Sequence, residues 1–410
     1  MRTWAYLAFA VALLLCAAVP SKAGTASWTD PGYLYRYAFW GIPVELSKSD
    51  AYRRFPFRTV ENGPQQFHFA KGSKESIPEM VEYREGNDLK RVALRELLQS
   101  TGTHAFIVVR DGQLLYENYL NGYARDSLNE SWSLAKSVVS ALIGIAIAEG
   151  RIKSVNDPIT NYLPELKDQG ITGITIRDLL TMGSGIRYRF GLFPWDEFVM
   201  YGFYPDLRRL MFTDLTIVEP PGQSFHYNNY NTELCALVLE RATGRSLSDY
   251  LQEKVWKPLG MEYPAIWSLD HDGDGIELAA TLLEARAIDF AKLGQLYLDK
   301  GKWNGVQVVP ERWVAESTTP DAKDRRPWET FSQWQGGGGY YKYFWWGTSS
   351  RPGDYTFQGI GTYGQFLFVS PAKGVVIVRV AAKDGVDPLA WRDVFHFIAD
   401  HVGLTDKIDG

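Results

Sequence analysis

The pattern of apolar and polar positions changes character several times along the chain. After Arg2, residues Trp4 to Val19 are apolar without a break, and Ser21-Lys22-Ala23 places small residues around a cleavage point before Gly24. That layout predicts an export signal over residues 1–23. Residues 24–90 are aromatic and turn-rich (Trp28, Tyr33, Tyr35, Tyr37, Phe39, Trp40, then Phe55-Pro56-Phe57). They show no helical period, and predict an extended arm packed on the main body. From about 91 regular elements begin. Val92–Leu98 predicts a helix, and His104–Val109 with Gln113–Tyr119 alternate as a hairpin about Asp111-Gly112. Ser137–Ala148 is apolar on nearly every face and predicts a helix buried all round, ended by Gly150.

Between 157 and about 285 the pattern is mostly helix and loop. Thr175–Met182, Thr232–Thr243 and Ser246–Trp256 predict helices, and 183–215 is irregular and aromatic. Glu284–Leu298 predicts a helix with Asp289 and Lys292 on its outer face. The C-terminal third turns to strands at Lys342–Trp346, Tyr355–Gly361, Gln365–Val369 and Val375–Ala381, and Pro388–Val402 closes as a helix. The fold class implied is α/β (α+β): an antiparallel sheet flanked by helices, with an all-α lobe over about 157–285. The domain reading is a signal peptide (1–23), an extended arm (24–90) and one main domain (91–410).

Composition narrows the partners. The formal net charge is −5, or −7 once Arg2 and Lys22 leave with the signal. No block of like charge points to nucleic acid. Of the two cysteines, Cys16 lies in the signal, where Leu15 replaces the small residue a lipoprotein site needs. Cys235 then stands alone in an apolar helix, so no intramolecular disulfide forms and the thiol reads as a small buried hydrophobe. A periplasmic or secreted location therefore rests on the leader, with no stable membrane insertion after cleavage.

The chemistry centres on Ser133-Leu134-Ala135-Lys136, at the mouth of the buried helix. Positions i and i+3 share a helix face, so hydroxyl and amine can meet. A serine needs a base to become a nucleophile. Burial and the positive end of the helix dipole both lower a lysine pKa, which suits Lys136 to that task. The same terminus offers the Ser133 N–H to a developing oxyanion. A second copy of the pattern, Ser370-Pro371-Ala372-Lys373, falls in a turn where its lysine is solvated, so the buried-helix context carries the signal.

Two more segments join it. Tyr227-Asn228-Asn229 lies before a helix, where Tyr227 can pass a proton and Asn229 can position substrate by its amide. The same Y-x-N pattern recurs at Tyr116 and Tyr119, and a packed aromatic with a capping Asn explains it equally. Gly359-Ile360-Gly361-Thr362-Tyr363-Gly364-Gln365 combines strand and glycine, which allows close approach to backbone. There Gly361 is a contact position and the Thr362 N–H a second oxyanion donor, the alternative being a tight bend between strands. Within 186–215, Tyr188, Phe190, Phe193, Trp195, Phe198, Tyr201, Phe203 and Tyr204 are candidate pocket walls, joined by Trp345 and Trp346, the alternative for such an aromatic run being plain packing.

In order and context these segments resemble the serine β-lactamase and penicillin-binding-protein superfamily, whose signature opens with S-x-x-K. They are most similar to its class C-like branch, which holds esterases and 6-aminohexanoate-oligomer hydrolases. Asn156-Asp157-Pro158-Ile159, Ile176 to Gly185 and Lys257-Pro258-Leu259-Gly260-Met261 extend the likeness over about 91–405. The resemblance implies a β-lactamase/transpeptidase-like fold, Ser133 as acylated nucleophile, Lys136 as its base and Tyr227 as proton shuttle. Substrates would be small-molecule esters, amides or peptide-like compounds, with no cofactor and no metal. β-Lactam-cleaving relatives usually carry Lys or His where this chain has Gly359. That departure disfavours a β-lactamase or D-Ala-D-Ala carboxypeptidase.

Other classes fit less well. The six histidines are scattered without H-E-x-x-H, and a G-x-S-x-G elbow is absent. Asp270-His271-Asp272-Gly273-Asp274-Gly275 opens like a calcium loop, but Thr281 replaces its bidentate Glu. A non-catalytic peptide or peptidoglycan binder of the same fold would be expected to have lost Ser133, Lys136 or Tyr227, and all three stand.

Overall fold

Thr103–Arg110 is apolar at consecutive positions because both of its faces are covered. Ala105, Ile107 and Val109 point into one core; Phe106 and Val108 point into another. The computed structural model describes residues 26–39, 51–72, 77–336, 338–351 and 353–403. The predicted export signal and Trp40 lie outside them. In the main sheet Ala70–Lys71 is β1, Thr103–Arg110 β2, Gln113–Tyr119 β3, Gly339–Lys342 β4, Trp345–Arg351 β5, Asp354–Gly361 β6, Gln365–Ser370 β7 and Val375–Ala381 β8. The order across the sheet is β4-β5-β6-β7-β8-β2-β3-β1, antiparallel except for the short β1–β3 pair.

Five helices frame the sheet and its lobe: Pro31–Phe39 (α1), Ala135–Ala148 (α2), Asn229–Thr243 (α3), Ala287–Leu298 (α4) and Pro388–His401 (α5). The larger core lies between the sheet and the helical lobe and takes in α2, α3 and α4. The smaller covers the other sheet face with Trp391, Val394, Phe395 and Ile398 of α5. This two-sided layering is why α2, caught between sheet and lobe, is apolar all round.

Several expectations are corrected. The region read as having no helical period contains α1, whose Tyr33 is fully buried and donates to the Pro194 carbonyl at 2.6 Å. Met80–Glu85 and Asp88–Ala93 form a hairpin, and the following helix begins at Leu94, not Val92. Asp289 and Lys292 are not on an outer face: both are fully buried, 3.1 Å apart, and Glu262 lies 3.5 Å from the same amine. Mutual neutralisation offsets the desolvation that exposure would have avoided. The expected strand Lys342–Trp346 is a hairpin turn, because Tyr343 and Phe344 take φ of 42° and 65° between β4 and β5. The helical lobe is bordered by a small sheet in which Ala265–Ser268 and Leu283–Ala285 pair with each other and with strands outside it.

Candidate active site

Ser133 sits in a short 3₁₀ turn, Trp132–Leu134, that runs directly into α2. Trp132 enters that turn at φ 48°, a sparsely populated conformation for a residue with a side chain. It is held by an edge-on contact with Tyr363, ring centroids 5.2 Å apart. The bend presents Ser133 at the junction of sheet and lobe, where the next turn buries Lys136. The Lys136 Nζ donates to Ser133 Oγ at 2.9 Å and to the Ala280 carbonyl at 2.9 Å. Burial drives its pKa well below the ordinary lysine value, against an opposing pull from the Glu233 carboxyl. Burial thus favours, beside the serine, the neutral form of the amine, which is the form able to accept a proton.

Tyr227 completes the cluster from the loop before α3. Its ring lies 5.0 Å from the Lys136 amine. Burial pushes its hydroxyl pKa up, and a hydrogen bond with Ser133 only partly offsets that. Its backbone is fixed by a donation to Thr330 Oγ1 at 2.9 Å. The structure therefore brings Ser133, Lys136 and Tyr227 together. Asn229, two residues on, is buried at the start of α3 beside Tyr188, whose own hydroxyl is pushed up by burial.

The third segment runs past the nucleophile as the end of β6. A Cβ on Gly359 would lie 3.1 Å from Leu134 Cγ and from Ser137 Oγ; one on Gly361 would lie 2.2 Å from the Ser131 carbonyl oxygen. These two glycines let the strand lie directly against the turn that carries Ser133. Thr362 follows Gly361 as an exposed residue at the start of the turn to β7. The close approach makes Gly361→Ala costly. Overpacking of this kind is expected to destabilise by about 1–3 kcal/mol, measured as a lower urea midpoint at unchanged m value.

Sequence reasoning missed the support behind Lys136. The Ala280 residue that holds the amine by its carbonyl donates its N–H to Tyr201 Oη at 2.9 Å. Tyr201, expected as a pocket wall, is instead buried and donates to Glu233 Oε2 at 3.1 Å, and the Ala279 N–H donates to the same oxygen at 3.0 Å. Glu233 is fully buried, and burial raises its pKa well above the usual carboxylate range. No local pattern announces this chain of contacts, since Tyr201 and Glu233 are 32 residues apart.

Three other candidates separate from the site. Cys235 is buried, with burial pushing its thiol pKa up, so thiolate chemistry is disfavoured there. Asp270 spends its carboxylate on the N–H groups of Leu207, His271 and Ile276, which makes its acidic loop a structural turn. Lys373 of the second S-x-x-K copy is half exposed and pairs with Asp400 at 2.7 Å.

The beta-lactamase family pattern matches residues 93–394, most of the described chain. The chain belongs to the beta-lactamase family. Among curated relatives of this beta-lactamase-family protein, it is 29% identical over 309 residues to a 6-aminohexanoate-dimer hydrolase of Paenarthrobacter ureafaciens, covering 73% of this chain and 77% of that one. It is 28% identical over 225 residues to the esterase EstB of Burkholderia gladioli, covering 45% of this chain and 56% of the relative. A solved structure of a provisional 6-aminohexanoate-dimer hydrolase from Bacillus anthracis superposes with a TM-score of 0.74 at 27% identity, covering 94% of this chain and 98% of that one. Membership of this family, with relatives named as a hydrolase and an esterase, makes the chain a serine hydrolase.

Proposed function

We propose that the protein is an exported serine hydrolase that cleaves esters or linear amides of small molecules or short oligomers through an acyl-enzyme on Ser133. The observation that carries this reading is the 2.9 Å contact between Ser133 Oγ and a buried, desolvated Lys136 amine. Ser133 Oγ attacks the carbonyl carbon as its proton passes to Lys136. The oxyanion is received by the Ser133 N–H and, from the end of β6, the Thr362 N–H. The bond to the leaving oxygen or nitrogen then breaks as Tyr227 gives that atom a proton and is resupplied from Lys136. Water attacks the ester of Ser133 by the reverse relay, releasing the acid and restoring the serine. Relatives named for the 6-aminohexanoate dimer and as an esterase support this choice of substrates. The leader over residues 1–23 supports a periplasmic or secreted location.

Position 359 argues against β-lactams. A β-lactam carries a carboxylate beside its reactive ring, and a charge-assisted hydrogen bond to it is worth about 1.5–3 kcal/mol. Gly359 offers no cation, and its neighbours leave little room for one. Two candidate replacements are engaged elsewhere: Arg187 pairs with Glu197 at 2.7 Å, and His226 Nε2 lies 2.7 Å from the Tyr188 carbonyl. We expect kcat/KM for nitrocefin to fall about 10–100-fold below that of a carboxylate-anchoring relative, and below that for p-nitrophenyl butyrate on the same protein. Nitrocefin turnover equal to the ester would overturn the specificity reading.

A further inference from the structure

The walls around Tyr227 are aromatic on several sides. Trp346 lies 5.5 Å from its ring at 31°, Phe331 5.5 Å at 80°, and Phe190 6.4 Å at 25°. Phe190 and Phe331 also meet each other, 6.4 Å apart. Tyr227 and Trp346 are each only 6% exposed, whereas Phe190 and Phe331 are each 41% exposed. These two rings therefore form the outer lip over the tyrosine.

The lip is assembled from distant segments that are tied together. The stretch before Phe331 is stitched to the stretch before Tyr227: Phe225 N–H donates to the Pro327 carbonyl at 2.8 Å, Glu329 N–H to the Phe225 carbonyl at 3.0 Å, and Tyr227 N–H to Thr330 Oγ1 at 2.9 Å. Phe331 itself takes φ 56°, a conformation a large side chain adopts only when its surroundings impose it. Phe190 follows Arg189, whose backbone N–H and guanidinium are both held by Glu197.

Resting on Tyr227 as the proton donor to the leaving group, we infer that Phe190, Phe331 and Trp346 form a leaving-group subsite. It selects esters and amides whose departing alcohol or amine is aryl or extended alkyl. A proton donor must lie within hydrogen-bond reach of the atom it protonates, so the leaving heteroatom sits at the Tyr227 hydroxyl. Its substituent then runs along the aromatic walls towards the Phe190–Phe331 lip. The oxyanion, by contrast, points to the Ser133 turn and the end of β6. An apolar pocket discriminates by burial of apolar surface, and a polar substituent placed there loses its water without gaining hydrogen bonds.

The test uses butyrate esters of unactivated primary alcohols of similar length, hexyl and 2-(2-methoxyethoxy)ethyl, with phenethyl as the aryl member. On the mature protein, kcat/KM for hexyl and phenethyl butyrate should exceed that for the ether ester by about 10–100-fold. In Phe190→Ala, and in Phe331→Asn, which removes the ring while tolerating the left-handed backbone, that ratio should fall to within about threefold of unity. Preference along an acyl series of p-nitrophenyl acetate, butyrate and octanoate should survive both changes. A wild-type ratio near one overturns the inference, as does loss of acyl-chain preference with the alcohol ratio intact. Fluorophosphonate labelling of Ser133 separates the two levels: a protein that labels but shows no ratio defeats the subsite alone, and one that neither labels nor hydrolyses any ester defeats the hydrolase reading itself.

Discussion

Ser133→Ala is expected to abolish ester hydrolysis and fluorophosphonate labelling while leaving the thermal midpoint close to that of wild type. The oxygen removed is the one that becomes bonded to the acyl group, so no neighbouring group replaces it. The structural cost is small. Ser133 is half-buried in a short turn, and Lys136 keeps its hydrogen bond to the Ala280 carbonyl when the hydroxyl goes. Cys235→Ala is the matched control and should retain near-normal rates, because that thiol is buried in α3. Acylation of the Ser133→Ala protein at the wild-type rate would remove the nucleophile assignment. Equal loss in the Cys235 variant would point to the thiol instead.

The second large effect is expected at Lys136. Lys136→Arg should lower kcat/KM by about 10²–10⁴, nearly as much as Lys136→Ala, because a guanidinium keeps its proton at every working pH. The wild-type pH profile gives the sign. Burial favours the neutral amine, so Lys136 releases its proton at a pH below the ordinary lysine value. Activity should rise with pH through that lowered value as the base becomes available. Burial holds Tyr227 protonated to higher pH than a free tyrosine, so the alkaline fall should come late. The two limbs belong to the coupled cluster rather than to single residues. An Arg variant with wild-type rate, or a profile that falls as pH rises across the acid limb, would show that the lysine acts as a fixed charge.

Much of this site was readable because its key contact is local. Ser133 and Lys136 are three residues apart, and helical geometry brings such positions together whatever the rest of the chain does. The strands β2, β7 and β8 were readable for a similar reason, being apolar runs bounded by turn residues. What was missed depended on partners far along the chain. Asp289 and Lys292 look like a solvated pair until Glu262 is placed beside them. The turn at Tyr343-Phe344 carries no glycine or proline to announce it, so two aromatic residues read as strand. The glycines at 359 and 361 signalled a close approach, but that their neighbours are Leu134, Ser137 and Ser131 depends on how β6 packs against the turn before α2. Phe331 reaches Tyr227 across a separation of about a hundred residues, fixed by a contact whose ends are 103 apart.

The order of the main sheet also bears on how the chain acquires its structure. β2 (Thr103–Arg110) lies between its sequence neighbour β3 and β8 (Val375–Ala381), so the centre of the sheet joins the two ends of the domain. The intervening loop must be closed before that pairing is rewarded, which raises contact order and slows folding. The Ser133 turn is synthesised early, yet β6, which shapes one side of it, arrives among the last strands. During synthesis the nucleophile therefore exists well before its active site does. A nascent chain of this topology stays incompletely folded until almost all of it is available, so catalysis begins only once the last strands have joined the sheet.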